Sequence, residues 1–143
     1  MKIAVASDHG GFKLKEEVKA HLLERGLEVL DLGTHNEDSV DYPAYGKACG
    51  EAVVSGQADV GIVVCGTGIG ISIAANKVPG IRCALCHDCF SAKATREHNN
   101  SNVLAMGGRI IGAGHALAVV DLFLDTPFSN DERHIRRIKG IEG

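Results

Sequence analysis

The sequence predicts an α/β fold built on a parallel sheet, and three observations carry that prediction. Short aliphatic runs alternate with stretches of helical periodicity along the whole chain. The run Ile62-Val63-Val64 is continuously apolar, as in strands covered by helices on both faces. The 18 glycines in 143 residues gather at the expected turns, where backbone must bend sharply or come close to a ligand.

Strands are expected at residues 2–7, 27–32, 58–65, 81–86 and 103–106. The first helix, over about 11–25, places Leu14, Val18 and Leu22 on one face with lysines and glutamates elsewhere, and Gly26 stops it. Asp41 and Pro43 open a second helix that Gly56 closes. A short third helix follows the glycine loop at 66–70 and ends before Pro79. Asp88 can cap a fourth, running to about residue 97. A fifth, over about 113–124, is almost wholly apolar and is expected to be buried or to meet another subunit. Asn130 can cap a last helix reaching about residue 139. This order, with short connections and no long linker, predicts one doubly wound, Rossmann-like domain over residues 1–143, with a five-stranded parallel sheet in three α/β/α layers.

Composition narrows the function classes. Hydrophobic residues make up 45% and charged residues 23%, ordinary values for a soluble globular protein. With no Trp, four Phe and two Tyr, the core must be aliphatic. A net charge of -3 argues against a nucleic-acid partner. No segment approaches the ~20 apolar residues of a membrane span, and the apolar run at the N-terminus is too short for a signal peptide. Five cysteines without an export signal read as free thiols in a reducing compartment, so a cytoplasmic location is expected.

In doubly wound sheets ligands bind beyond the carboxyl ends of the strands, and the reactive residues collect there. The first strand runs into Asp8-His9-Gly10-Gly11, the third into Cys65-Gly66-Thr67-Gly68-Ile69-Gly70, and the fourth into His87-Asp88. Alternate glycines between a strand and a helix can aim several N–H groups at one point, binding a phosphate or a developing oxyanion. The spacing is not that of a dinucleotide fingerprint, and the loop follows the third strand rather than the first. Cys65 faces that helix N-terminus, so it is either a thiol poised to act as base or nucleophile, or a small apolar residue ending a strand. Asp8 and His9 can be site residues or a helix cap, and His98 a site residue or a solvated helix end. Arg133 and Arg137 share a helix face, suited either to a phosphate or to salt bridges with Asp131 and Glu132; Arg109 is a further phosphate candidate. Cys83-Ala84-Leu85-Cys86-His87-Asp88-Cys89 has the spacing of a metal or haem motif. Residues three apart on a strand face opposite ways, however, so core packing explains it better.

Taken together, Ser7-Asp8-His9-Gly10-Gly11-Phe12, Asp41-Tyr42-Pro43, the string from Cys65-Gly66-Thr67-Gly68 to Ala74-Ala75-Asn76-Lys77, Glu97-His98-Asn99 and Arg133-His134 resemble the type B ribose-5-phosphate isomerase family over nearly the whole chain. The resemblance implies a sugar-phosphate isomerase of the pentose phosphate pathway that needs no cofactor and no metal. It implies Cys65 as the base moving a proton between C2 and C1, His98 as the ring-opening acid/base, and Thr67 beside the reacting oxygens. Amides of Gly66, Gly68, Ile69 and Gly70 would hold the enediolate, and Asp8 and Asn99 would bind hydroxyls. His9, Arg109, Arg133, His134 and Arg137 would surround the phosphate. It further implies a homodimer or homotetramer with sites built between subunits, the last helix reaching across. Allose and galactose 6-phosphate isomerases belong to the same superfamily. Two other readings are therefore a 6-phosphohexose isomerase and a non-catalytic module that binds a phosphorylated ligand.

Overall fold

A computed structural model of the chain describes residues 1–143. Its strands are β1 (Lys2–Ser7), β2 (Glu28–Asp31), β3 (Val60–Cys65), β4 (Cys83–Leu85) and β5 (Val103–Gly107). Its helices are α1 (Phe12–Glu24), α2 (Tyr42–Val54), α3 (Ile69–Asn76), α4 (Cys89–Asn99), α5 (Ala113–Asp125) and α6 (Glu132–Glu142). All strand pairs are parallel, in the order β2-β1-β3-β5-β4. No helix is long and apolar enough to cross a membrane.

Side-chain alternation divides the core between the two faces of the sheet. Ile3, Val5, Ile62, Val64, Leu104 and Met106 point to one face, against Val18 and Leu22 of α1 and Val119 and Phe123 of α5. Ala4, Ala6, Val63, Cys65, Val103 and Ala105 point to the other, against Cys49 of α2 and Ile71 of α3. The residues on this second face are smaller, so α2 lies close to the sheet. A Cβ on Gly61 would come within 2.4 Å of Cys49 Sγ. Cys83 packs on the second face and Cys86 on the first, so the cysteine motif is split across the sheet. No group of three or more His, Cys, Asp or Glu side chains is placed to hold a metal ion.

Several boundaries differ from the sequence expectation for local reasons. Asp131, not Asn130, caps α6: its carboxylate accepts from Arg133 N at 3.0 Å, while Asn130 takes a left-handed φ of 57° one residue earlier. α6 then continues to Glu142. Asp41 occupies the N-cap position of α2 without a side-chain cap bond, and Pro43 sits in the first turn. Asp88 does cap α4, accepting from Ser91 N at 2.7 Å, and that helix continues through Asn99. Residues 27–32 and 81–86 shorten to Glu28–Asp31 and Cys83–Leu85, because both are edge strands. The apolar α5 buries only the stripe of Ala116, Val119, Val120 and Phe123, leaving Ala118 exposed.

One buried ion pair fixes α1 on the sheet edge. Lys15 is 1% exposed, and its Nζ lies 2.7 Å from Asp31 Oδ1; Lys19 Nζ lies 3.0 Å from Oδ2, and Gly33 N donates to Oδ1 at 3.0 Å. Burial pushes the Asp31 carboxyl up, but Lys15, the Gly33 amide and Lys19 outweigh it and hold the pKa at about 2. With the folded pKa depressed, the stability it contributes is present above the ordinary carboxylate range and lost as pH falls towards 2. We expect Asp31→Asn to cost about 2 kcal/mol near neutral pH, with the gap to wild type closing between about pH 4 and 2. Urea unfolding at stepped pH checks this, and a gap independent of pH contradicts it.

Candidate active site

The sheet order reverses between β1 and β3, so the crevice beyond their carboxyl ends is the ligand position of this fold. Ser7 pairs with Val64, and Asp8 N donates to Val64 O at 3.3 Å, which brings Asp8 beside Cys65. A cavity of about 480 Å³ opens there, lined by Asp8, Tyr42, Cys65, Gly66, Thr67, Ile69, Gly70, Ile73 and Arg109.

Cys65 continues the alternation of Val63 towards α3, and its side chain ends at that helix's start. Gly68 N donates to Cys65 Sγ at 3.1 Å, and Ile69 N to Thr67 Oγ1 at 3.2 Å. These bonds satisfy amides that a helix N-terminus leaves free. Gly68 sits at φ 79°, and a Cβ there would lie 2.6 Å from the Met106 carbonyl carbon, so only glycine closes this turn. Gly70 is glycine for another reason: a Cβ would strike the Tyr42 ring at 2.5 Å.

The remaining residues of this edge are held from below. Asp8 is 7% exposed, and its Oδ1 accepts from Gly11 N at 3.1 Å. Val40 N donates to His9 Nδ1 at 3.2 Å, which leaves Nε2–H of the neutral ring as a donor. The Arg109 backbone N–H bonds Gly66 O at 3.0 Å, and its guanidinium lies over Gly66. A second hollow of about 380 Å³ shares Arg109 and is lined by His9, Gly10, Lys13, Leu14, Glu37 and Gly108. Two adjoining hollows, one with a thiol and a glycine loop and one with His9, Lys13 and Arg109, can hold a reacting carbon chain and its anionic end.

His98, Asn99, Arg133, His134 and Arg137 are not at this cavity. His98 opens onto a separate hollow with Phe90, Lys93, Ala94 and Glu97. Its ring lies against that of His134, tilted by 36° with centroids 4.6 Å apart. His134 is 7% exposed, and its Nδ1 is 2.7 Å from Ser129 Oγ. Burial, His98 and Arg133 push the His134 pKa down, so the ring is neutral near pH 7. Arg133 and Arg137 stand exposed on α6; Arg133 lies 3.6 Å from Asp131, and Arg137 has no salt bridge. Asn99 lies beside Arg82, whose Nε donates to its carbonyl at 2.9 Å. One chain therefore carries two separate clusters: a thiol and glycine loop at β3, and an imidazole and arginine group on α4 and α6.

Tyr42, Ile73, Lys13 and Glu37 line these hollows without having been assigned a role from the sequence. The Asp41-Tyr42-Pro43 string signalled the first, but nothing local marks the other three.

An α/β fold with a polar cavity beyond the carboxyl ends of its parallel strands is the arrangement in which this class of protein binds small ligands. The family described as Ribose/Galactose Isomerase matches residues 3–141, and the chain belongs to it. The chain is 48% identical to ribose-5-phosphate isomerase B of Escherichia coli, over 98% of this chain and 93% of that one. It is 42% identical to galactose-6-phosphate isomerase subunit LacB of Clostridium acetobutylicum, over 99% of this chain and 82% of that one. A solved ribose-5-phosphate isomerase B from Clostridium thermocellum superposes with TM-score 0.98 at 53% identity, covering 99% of this chain and 95% of that one.

Proposed function

We propose that the chain isomerises ribose 5-phosphate and ribulose 5-phosphate in the cytoplasm, by proton transfer through a cis-enediolate without a metal. The observation that carries this reading is the Cys65 sulfur held 3.1 Å from the Gly68 amide, inside a cavity shared with Asp8, Thr67 and Arg109. An aldose–ketose isomerisation needs one base that reaches two adjacent carbons and a donor set for the oxygen between them. Cys65 as thiolate takes the proton from C2. The C–H electron pair forms the C1–C2 double bond, and the aldehyde oxygen becomes an enediolate oxygen facing the loop amides. The same sulfur returns the proton to C1 while the C2 hydroxyl proton passes to the C1 oxygen, so that C2 becomes the ketone and C1 carries the hydroxyl. Thr67 Oγ1, beside those oxygens, relays that proton from one to the other, and Asp8 binds a sugar hydroxyl.

His98 opens the ring, and Asn99, Arg133, His134 and Arg137 bind the hydroxyl and phosphate end, each from a second copy of the chain. Two facts support this arrangement: the two clusters are separate within one chain, and exposed apolar side chains border both. Ile69 is 52% exposed and Ile73 55% at the first, and Phe90 is 81% exposed at the second. A homodimer, or a tetramer of such dimers, covers them and brings α6 of one copy to the loop of the other.

Ribose 5-phosphate, allose 6-phosphate and galactose 6-phosphate, each offered to the purified chain, test the substrate. Fast turnover of the pentose is expected. Preference for a hexose, the reading favoured by the galactose-6-phosphate isomerase relative, keeps the mechanism and replaces the substrate. No turnover of any sugar leaves a binding module.

A further inference from the structure

His87 does not line the Cys65 cavity, yet it holds the turn on which that cavity rests. β4 is only three residues long and ends at Leu85, so the neighbouring strand β5 runs past it. The last ladder bond between them is Cys86 N to Ala105 O at 3.2 Å. The next β5 amide, Gly107 N–H, finds no strand carbonyl and instead donates to His87 Nε2 at 2.8 Å. The imidazole therefore replaces the missing end of an edge strand.

Gly107 is packed directly on the glycine loop: a Cβ there would lie 2.6 Å from the carbonyl carbon and oxygen of Thr67. From Gly107 the chain turns, its carbonyl accepting from Ile110 N at 3.0 Å and Ile111 N at 3.1 Å. Within that turn Gly108 N bonds Cys65 O at 2.8 Å, and Arg109 N bonds Gly66 O at 3.0 Å. A displacement of Gly107 would move the Thr67–Gly68 peptide and the Arg109 guanidinium together.

We propose that His87 is a positioning residue for the isomerase site, its Nε2 fixing Gly107 and thereby the depth of the glycine loop and the reach of Arg109. The role rests on the isomerase reading above. It requires the Nε2 lone pair to stay free, with the proton on Nδ1. The surroundings favour this state: burial and His115 push the His87 pKa down, against the opposing charge of Asp88.

The test compares His87→Leu, which fills the space without an acceptor, with His87→Gln, whose Oε1 reaches as far as Nε2. His87→Leu is expected to lower kcat/KM for ribose 5-phosphate about tenfold or more and to speed exchange of the Gly107 amide. His87→Gln is expected to stay within about threefold of wild type on both measures, because the acceptor is restored. Wild-type kcat/KM in His87→Leu, or equal impairment in the two variants, overturns the proposal. Should His87→Leu not fold, nitrogen NMR of the wild-type imidazole decides: a proton on Nε2 overturns the role, a bare Nε2 coupled to the Gly107 amide supports it. Absence of any turnover in the wild type overturns the isomerase reading instead, and Gly107 amide exchange in the variants still decides whether His87 holds this turn.

Discussion

Cys65→Ala is expected to lower turnover of ribose 5-phosphate about a thousandfold or more, the contribution of a well-placed general base. Binding of inorganic phosphate should stay within about threefold, since Cys65 does not line the adjoining hollow of His9, Lys13 and Arg109. The fold should survive, because a small side chain replaces another at the end of β3. No other cysteine lines the Cys65 cavity, so no second thiol stands in. Burial pushes Cys49 up to about 12 and Cys86 up to about 11, so both stay protonated at neutral pH. Steady-state kinetics and phosphate titration on one preparation check both halves. Near-normal turnover would remove Cys65 from the mechanism.

The second large effect comes from mixing two inactive variants. Cys65→Ala damages the loop half-site, and His98→Ala damages the α4 half-site. If each active site takes one half from each of two copies, a mixed dimer contains one site with both defects and one site with neither. Statistical exchange then restores about one quarter of the wild-type rate. Complementation of this kind does not occur if both residues serve one site from the same chain. Mixing the variants, allowing subunit exchange and measuring turnover tests the arrangement without any structure of the assembly. A mixture as inactive as its parents contradicts the shared site.

Much of this was legible in the sequence because it depends on local pattern. The parallel sheet follows from the apolar run of β3, and a thiol before three closely spaced glycines must lie at a strand-to-helix turn. Cys83 and Cys86 were separable as core residues by strand alternation alone, and the sheet does divide them. What stayed hidden depends on tertiary neighbours. Lys15 falls among charged residues at the edge of the α1 stripe and reads as solvated. It is buried because Asp31, on a strand sixteen positions later, offers it a partner. Asn130 and Asp131 are both good caps by type, and the left-handed φ at Asn130 decides between them. His98 and Arg133 match the family string in linear order, but nothing in linear order reveals that they stand away from Cys65 in their own chain. His87 lies in a string that resembles a metal motif, and only the short β4 beside a longer β5 reveals its hydrogen-bonding task.

In the proposed reaction a protein thiolate moves a proton between two carbons while backbone amides, not a metal, hold the enediolate. The most direct measurement is conversion of ribose 5-phosphate by the purified chain in D2O, with and without EDTA, followed by NMR of the ribulose 5-phosphate formed. Deuterium is expected at C1, delivered by a sulfur that exchanges with solvent, at a rate EDTA leaves unchanged. Product free of deuterium, as a direct hydride shift would give, or loss of turnover on chelation, would contradict it.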